Sequence, residues 1–310
     1  MASKSGEEIA ETKVWEDIPP EIVVQIAKNL DVLDRTRLSL TSFSNYQTLK
    51  SATYKVKHVS LIRRHNMMSI VFGNQRYIFE FLNWPNNRMT RVKRCSLQGI
   101  RHWQYSNPNY VELAMTAFKS MVLEKKIEIE NLIVSKLNDY SIFANYPKLK
   151  VKKLSTDDSS FGFGLEWFNY IQPNIQEIVL QFPIDINAAL QYPAFKDAKE
   201  CQLYWNYDLT DEQLLSFTFK RFHCMRRSNV TNEGINRLIG KWIAENAEVG
   251  TYYYLKEVGK GIEFDEELKA VVIDIDKQKQ ETYRIDMDKC RTIIVVKVYE
   301  TCIDMEVKEK

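Results

Sequence analysis

The chain has 310 residues, with 43 basic against 41 acidic side chains, a formal net charge of +2 and a hydrophobic fraction of 45%. The near-neutral balance removes any general electrostatic case for a nucleic-acid partner, and the apolar fraction is that of a chain that packs a core. Ten glycines and eight prolines are too few for a sandwich or propeller full of tight turns.

No run of about 18 apolar residues occurs, so no membrane span is expected. The five cysteines (Cys95, Cys201, Cys224, Cys290 and Cys302) are odd in number, and no pair has CxxC spacing. The first twelve residues are polar and lack the apolar centre of a signal peptide. Reduced thiols in the cytoplasm or nucleus are the expectation.

From the N-terminus, residues 1–13 read as a flexible polar tail. Order is expected from Val14-Trp15 onward. Asp17-Ile18-Pro19-Pro20-Glu21 reads as a helix entry: Asp17 is a capping candidate, the prolines suit a first turn, and Glu21 favours the positive end of the dipole. Ile22, Val23, Ile26, Ala27 and Leu30 then form one apolar stripe. Asp34 is a candidate N-cap for a second short helix carrying Leu38 and Leu40. A third helix is expected near Ser42, with Phe43, Tyr46 and Leu49. Three short helices in about 35 residues cannot bury their apolar surface alone, so a partner or a neighbouring domain is expected to cover it. The plainer alternative is a helical hairpin whose stripe faces only its own core.

This stretch resembles the F-box family. Ile18-Pro19, Glu21, the aliphatic run Ile22-Val23-Val24 with Ile26, Leu30, Asp34, Leu38 with Leu40, and Tyr46 follow the family's order, and Trp15 stands three residues before the Ile-Pro pair. Ile18 departs from the family's usual Leu, and Thr41-Ser42-Phe43-Ser44 replaces its frequent Val-Cys-Arg/Lys stretch. The resemblance implies binding to a Skp adaptor, and through it to cullin, by Trp15, Ile18, Pro19, Ile22, Val23, Ile26, Leu30, Leu38 and Tyr46. It implies a non-catalytic subunit of an SCF ubiquitin ligase that presents a protein substrate, residues 14–52 being the F-box. The physics would be helix-in-groove packing of aliphatic surface.

Beyond it, Val56 to Leu61, Ser69 to Phe72 and Tyr77 to Leu82 read as short strands, and Pro85-Asn86-Asn87 as a turn. Arg88, Arg91, Lys93, Arg94 and Arg101 form the one basic stretch, with Trp84, Trp103 and Tyr105 nearby. Such a mixture can grip single-stranded nucleic acid, but the balance of the whole chain favours a solvated face beside a core-packing Trp, and no nucleic-acid partner is expected. Tyr110 to Glu124 has helical spacing, Ile127 to Val134 reads as a strand, and Asn138 to Tyr146 reads as a helix.

Short apolar runs then recur at Leu149-Val151-Leu154, Ile178-Val179-Leu180, Cys201-Leu203-Tyr204 and Phe219-Phe222, about every 20 to 30 residues, with helical spacings between. That is the arithmetic of a leucine-rich-repeat-like solenoid without its regular Leu/Asn signature. A single closed α/β domain with a mixed sheet is the alternative. Thr231, Ile235, Leu238, Ile239, Trp242 and Ile243 mark a capped helix over residues 229–244, and Lys269 to Asp274, Thr282 to Met287 and Thr292 to Tyr299 read as an antiparallel meander. The fold expected is α+β / α/β: a small three-helix F-box followed, over residues 53–310, by a degenerate leucine-rich-repeat-like α/β domain ending in an antiparallel meander.

The segment Phe219 to Trp242, through Ser228-Asn229-Val230-Thr231, Ile235-Asn236, Leu238-Ile239 and Lys241-Trp242-Ile243, resembles the F-box-associated domain of the large nematode F-box families. That resemblance implies recruitment of a target protein and suggests foreign or selfish-element proteins, toxins included. A scaffold or sequestering inhibitor that binds Skp without leading to degradation is the alternative. On a strand face, aromatic and Arg residues are the expected anchors: Tyr204, Trp205, Tyr207, His223, Arg226, Arg227, Tyr252, Tyr253 and Tyr254. The three consecutive tyrosines cannot all face one way in a strand.

No catalytic set, metal site or cofactor is expected. His58, His65, His102 and His223 form no HExxH and no metal-ligand spacing with a cysteine. Gly162-Phe163-Gly164 lacks the third glycine and the Lys-Ser/Thr of a nucleotide loop, and Asp157-Asp158 and Asp265-Glu266-Glu267 read as solvated loops.

Overall fold

The computed structural model describes residues 18–30, 32–51, 54–73, 77–83, 89–96, 99–105, 109–124, 127–156, 163–258, 262–275, 280–287 and 291–310. Trp15, Asp17, the turn at 85–87, Arg88, Asp157-Asp158, Gly162 and Cys290 lie outside these residues.

Three short helices come first: α1 (Pro20–Asn29), α2 (Val32–Ser39) and α3 (Phe43–Ser51). Pro20 occupies the first turn of α1, where its missing N–H costs nothing. Asp34 does not cap α2, because the helix begins two residues earlier and Asp34 lies in its first turn. Ser42 does cap α3, its Oγ accepting from Asn45 N at 3.1 Å.

Five strands follow, β1 (Tyr54–Arg64), β2 (Met67–Phe72), β3 (Tyr77–Asn83), β4 (Thr90–Ser96) and β5 (Gly99–Tyr105), and then α4 (Tyr110–Phe118). A π turn at Lys119–Leu123 extends α4. Next come β6 (Ile127–Val134), β7 (Lys150–Thr156), β8 (Glu177–Leu180), α5 (Ile186–Ala189), α6 (Pro193–Lys196), β9 (Glu200–Leu203), α7 (Asp211–Ser216), β10 (Arg221–Cys224), α8 (Asn232–Glu245) and β11 (Tyr252–Lys256). The chain closes with β12 (Val271–Ile275), β13 (Glu281–Asp286), β14 (Thr292–Val298) and β15 (Cys302–Glu309).

All the strands share one sheet, in the order β12-β13-β14-β15-β11-β10-β9-β8-β7-β6-β1-β2-β3-β4-β5. β1 and β6 to β11 run parallel as its centre. β2 to β5 extend one end and β12 to β15 the other, antiparallel throughout. The chain is thus a mixed α+β protein with one large sheet. Two expectations change. Asn138 to Tyr146 contains only a 3₁₀ turn at Ser141–Phe143. The C-terminal meander has a fourth strand, β15, which joins it to β11. The described part of the basic stretch lies on strands β4 and β5.

The crossovers between the parallel strands lie on the apolar face. Thr231 caps α8 through Gly234 N. A chain of rings runs under the sheet: Phe143 lies 5.1 Å from Trp167, Phe168 5.5 Å from Phe195, Phe195 5.4 Å from Phe219, Phe222 5.4 Å from Tyr253, and Tyr253 5.1 Å from Trp242. Burial of such rings and of the aliphatic rows beside them is the main source of stability. Two of the polar groups this buries are met: Trp167 Nε1 donates to Ser135 O at 3.0 Å and Tyr253 OH to Phe219 O at 3.2 Å.

Candidate functional site

Two surfaces stand apart from the core. The first is on the helices. Val23 and Ala27 of α1 are buried against Leu49 and Tyr54, so the inner half of the stripe is spent within the chain. Val23, expected at the adaptor surface, is therefore a core residue at 2% exposure. The outer half is open: Ile22 is 49% exposed, Pro19 and Tyr46 are exposed, and Ile18, Ile26, Leu30 and Leu38 are half-buried. Ile18 and Leu38 rest against the core. Leu40 at 78% and Phe43 at 76% are the most exposed large apolar side chains on the helices, though neither was expected at the site.

Arg35 also escaped the sequence reading. It is buried, donates to Ala27 O and, at 3.1 Å, to Lys28 O, and sits 4.5 Å from the centroid of the Tyr54 ring. The Tyr54 hydroxyl donates in turn to Leu49 O. The guanidinium thus satisfies carbonyls at the end of α1 and fastens the helices to β1.

The second surface is the face of the parallel sheet opposite the crossovers. Alternation breaks at the same level in neighbouring strands, where Lys57-His58, Glu130-Asn131 and Lys152-Lys153 are all solvent-facing or half-buried pairs. From there the register sets Asn131, Lys153, Glu177, Glu200, Arg221 and Tyr252 side by side in one row. The next row holds Gln202, His223, Tyr254 and Asp304.

These side chains form a connected polar network. Glu177 Oε1 accepts from Lys153 Nζ at 2.5 Å and from Gln202 Nε2 at 3.1 Å. Gln202 also donates to Glu200 at 2.8 Å and accepts from the Tyr204 hydroxyl at 3.0 Å. His223 Nε2 is 3.7 Å from Glu200, and its ring is 5.3 Å from that of Tyr252. Tyr252 and Tyr299 each donate to Asp304 at 3.2 Å. Burial lowers the pKa of His223, partly opposed by Glu200, so the ring tends to be neutral. Burial, with Asp304 beside it, pushes the Tyr252 phenol upward, and Tyr254 is pushed up to about 12 by burial and Cys302. Both phenols remain hydrogen-bond donors.

Of the expected target-binding residues, Tyr204, Trp205, Arg226 and Arg227 are exposed, and His223, Tyr252 and Tyr254 are half-buried on this face. Trp205 stacks on Phe182 at 5.9 Å. Tyr207 and Tyr253 are corrected to core residues. Tyr207 gives its hydroxyl to Phe182 O, and Tyr253 points inward because strand alternation sends the middle of three tyrosines to the opposite face.

Chemistry of other kinds finds little footing among the described residues. No group of three or more His, Cys, Asp or Glu is arranged to hold a metal. Burial pushes the Cys201 thiol well up and Cys224 to about 11, so neither is a ready nucleophile. A pocket of about 300 Å³ opens at the start of β6 and β7, lined by Lys55, Glu128, Glu130, Lys150 and Lys152, with Lys150 bonded to Glu128 at 2.8 Å. No described helix is long and apolar enough to cross a membrane.

The F-box domain model matches residues 15–57, the segment holding α1 to α3. The chain is an F-box protein. A domain of unknown function (DUF3557) matches residues 112–256, from α4 through β11, so this F-box protein carries a C-terminal associated domain. No curated protein and no solved structure matches the chain. The F-box gives the chain a role as an adaptor in SCF-type complexes, with Skp-family binding and, through it, cullin. F-box proteins are generally non-catalytic adaptors.

Proposed function

We propose that this F-box protein is the substrate-recognition subunit of an SCF ubiquitin ligase. Residues 14–52 hold the Skp adaptor and residues 53–310, read as a degenerate leucine-rich-repeat-like array, hold a target protein for ubiquitination and degradation. The observation that carries this reading is the F-box match over three helices whose outer apolar row, with Pro19, Ile22, Leu40, Phe43 and Tyr46, is left to solvent. About 1.5–3 kcal/mol is available for each large aliphatic side chain that a partner covers. Trp15, Ile18, Ile26, Leu30 and Leu38 complete the proposed adaptor surface, with Val23 supporting it from beneath.

The target side rests on the polar, aromatic sheet face. Tyr204, Trp205, His223, Arg226, Arg227, Tyr252 and Tyr254 offer rings and hydrogen-bond donors on the parallel strands and the segments that leave them, the residue types that dominate interfaces. Foreign or selfish-element proteins, toxins among them, are the class of target proposed.

The test is affinity capture of the full chain from cells in which cullin activity is either blocked or intact, with a Trp205→Ala/Tyr254→Ala variant alongside. A target should be enriched by the wild type, lost by the variant while Skp is retained, and more abundant in the cell when cullin is blocked. A captured target whose level ignores the cullin block identifies sequestration instead. Equal capture by the variant removes the sheet face from the account.

A further inference from the structure

The free edge of the sheet at β5 has features that neither the adaptor surface nor the parallel sheet face uses. β5 stands last in the strand order, all seven of its residues are exposed, and Ile100 is 60% exposed. An edge strand presents unpaired backbone N–H and C=O groups at strand spacing.

The register makes this edge electrostatically unusual. Arg94 lies directly opposite Arg101. Like-charged side chains set directly across an antiparallel pair are destabilising. The two strands carry Arg91, Lys93, Arg94 and Arg101 and no acidic residue, on a chain whose net charge is only +2. Glu80 of β3, 2.9 Å from Lys93, supplies a counter-charge from the neighbouring strand, and Arg91 Nε donates to His102 Nδ1 at 3.2 Å. Alternation places Arg101, Trp103 and Tyr105 on one side of β5 and Ile100, His102 and Gln104 on the other, so apolar surface flanks the edge on both faces.

We propose that β5 docks an acidic, extended segment of a partner protein, which pairs as an added strand. Its backbone would complete the edge, its carboxylates would lie beside Arg94 and Arg101, and its alternate apolar side chains would cover Ile100 on one face and Trp103 and Tyr105 on the other. A single-stranded nucleic acid could stack on Trp103 and Tyr105 but would leave Ile100 bare and the edge N–H groups unpaired. A second copy of β5 would bring the same cations and be repelled.

The test uses the full chain with its adaptor and fluorescence anisotropy of four labelled probes. These are an alternating peptide, Val-Glu-Val-Asp-Ile-Glu-Val; the same peptide with lysines for its acids; the acidic peptide N-methylated at alternate residues; and an oligouridylate of matching charge. The acidic peptide should bind at least about tenfold more tightly than each of the other three, a margin of about 1.4 kcal/mol. An Arg94→Glu/Arg101→Glu variant should exchange that preference for the lysine peptide, which also shows that it has folded. Equal binding of the N-methylated peptide would reduce the edge to a charge effect and overturn the proposal. Tighter binding of the oligouridylate, or binding of none of the probes, would overturn it as well.

Discussion

At Arg35 a single side chain holds two parts of the molecule together. It caps the carbonyls of Ala27 and Lys28 and lies over the Tyr54 ring, so its loss removes two bonds to the end of α1 as well as a ring contact. Arg35→Ala should cost about 1–3 kcal/mol locally. Amide hydrogen exchange should show this as faster exchange in α1 and α3, with the central sheet unchanged. Two histidines contribute to the acid limb of stability. Burial lowers the pKa of His58 and of His223 below the ordinary value of 6.5. The unfolded chain therefore takes up these protons first as pH falls. The stability is whole above the ordinary value and is lost as pH drops from there through the lower folded values. Thermal melts from about pH 7.5 to about pH 5.5 should fall less steeply for His58→Gln/His223→Gln than for the wild type. What the sequence could not show at this scale is which half of a stripe faces out. Ile22 and Val23 are adjacent and chemically alike, and only the packing of α3 and Tyr54 decides that Val23 is spent inside.

Among the elements, α7 and α8 are latched through one close approach. Asp211 accepts from Thr231 N at 2.8 Å and from its hydroxyl at 2.6 Å, and a Cβ on Gly234 would come within 2.1 Å of the same carboxylate. Helix propensity alone predicts that Gly234→Ala gains up to about 1 kcal/mol. The latch predicts the reverse, a loss of about 1–3 kcal/mol, since Asp211 cannot move without giving up both bonds. A denaturant titration of the variant decides the sign. The strands β6 to β10 were legible because apolar runs recur at a regular interval and interior parallel strands need them. β4 and β5 were not, because Arg91, Lys93, Arg94 and Arg101 hide their alternation behind charge on both faces. β15 was missed for a related reason: Ile303, Met305 and Val307 alternate with Asp304, Glu306 and Lys308, a period-two signal that its place at the chain's end masked. The helix expected over Asn138 to Tyr146 gives way to a 3₁₀ turn, where Asp139 accepts from Ser141 N at 2.8 Å and diverts the backbone.

At the scale of the molecule, one sheet runs from the β5 edge, through β1 beside the F-box helices, to the C-terminal meander. The F-box was readable because its order of apolar residues is local. The polar sheet face was only half readable, because Glu177, Glu200, His223, Tyr252 and Asp304 meet through register across strands far apart in sequence. The central claim is that the outer row of α1 docks on the Skp adaptor. It is tested most directly by titrating purified adaptor against the full chain and against Ile22→Asp, with circular dichroism to confirm that the variant is folded. Ile22 is half exposed, so a carboxylate there should leave the fold intact and weaken adaptor binding at least about a hundredfold, near 2.7 kcal/mol, through lost aliphatic burial and an unpaired charge in the interface. Adaptor binding that is absent from the wild type, or undiminished in folded Ile22→Asp, would contradict the claim.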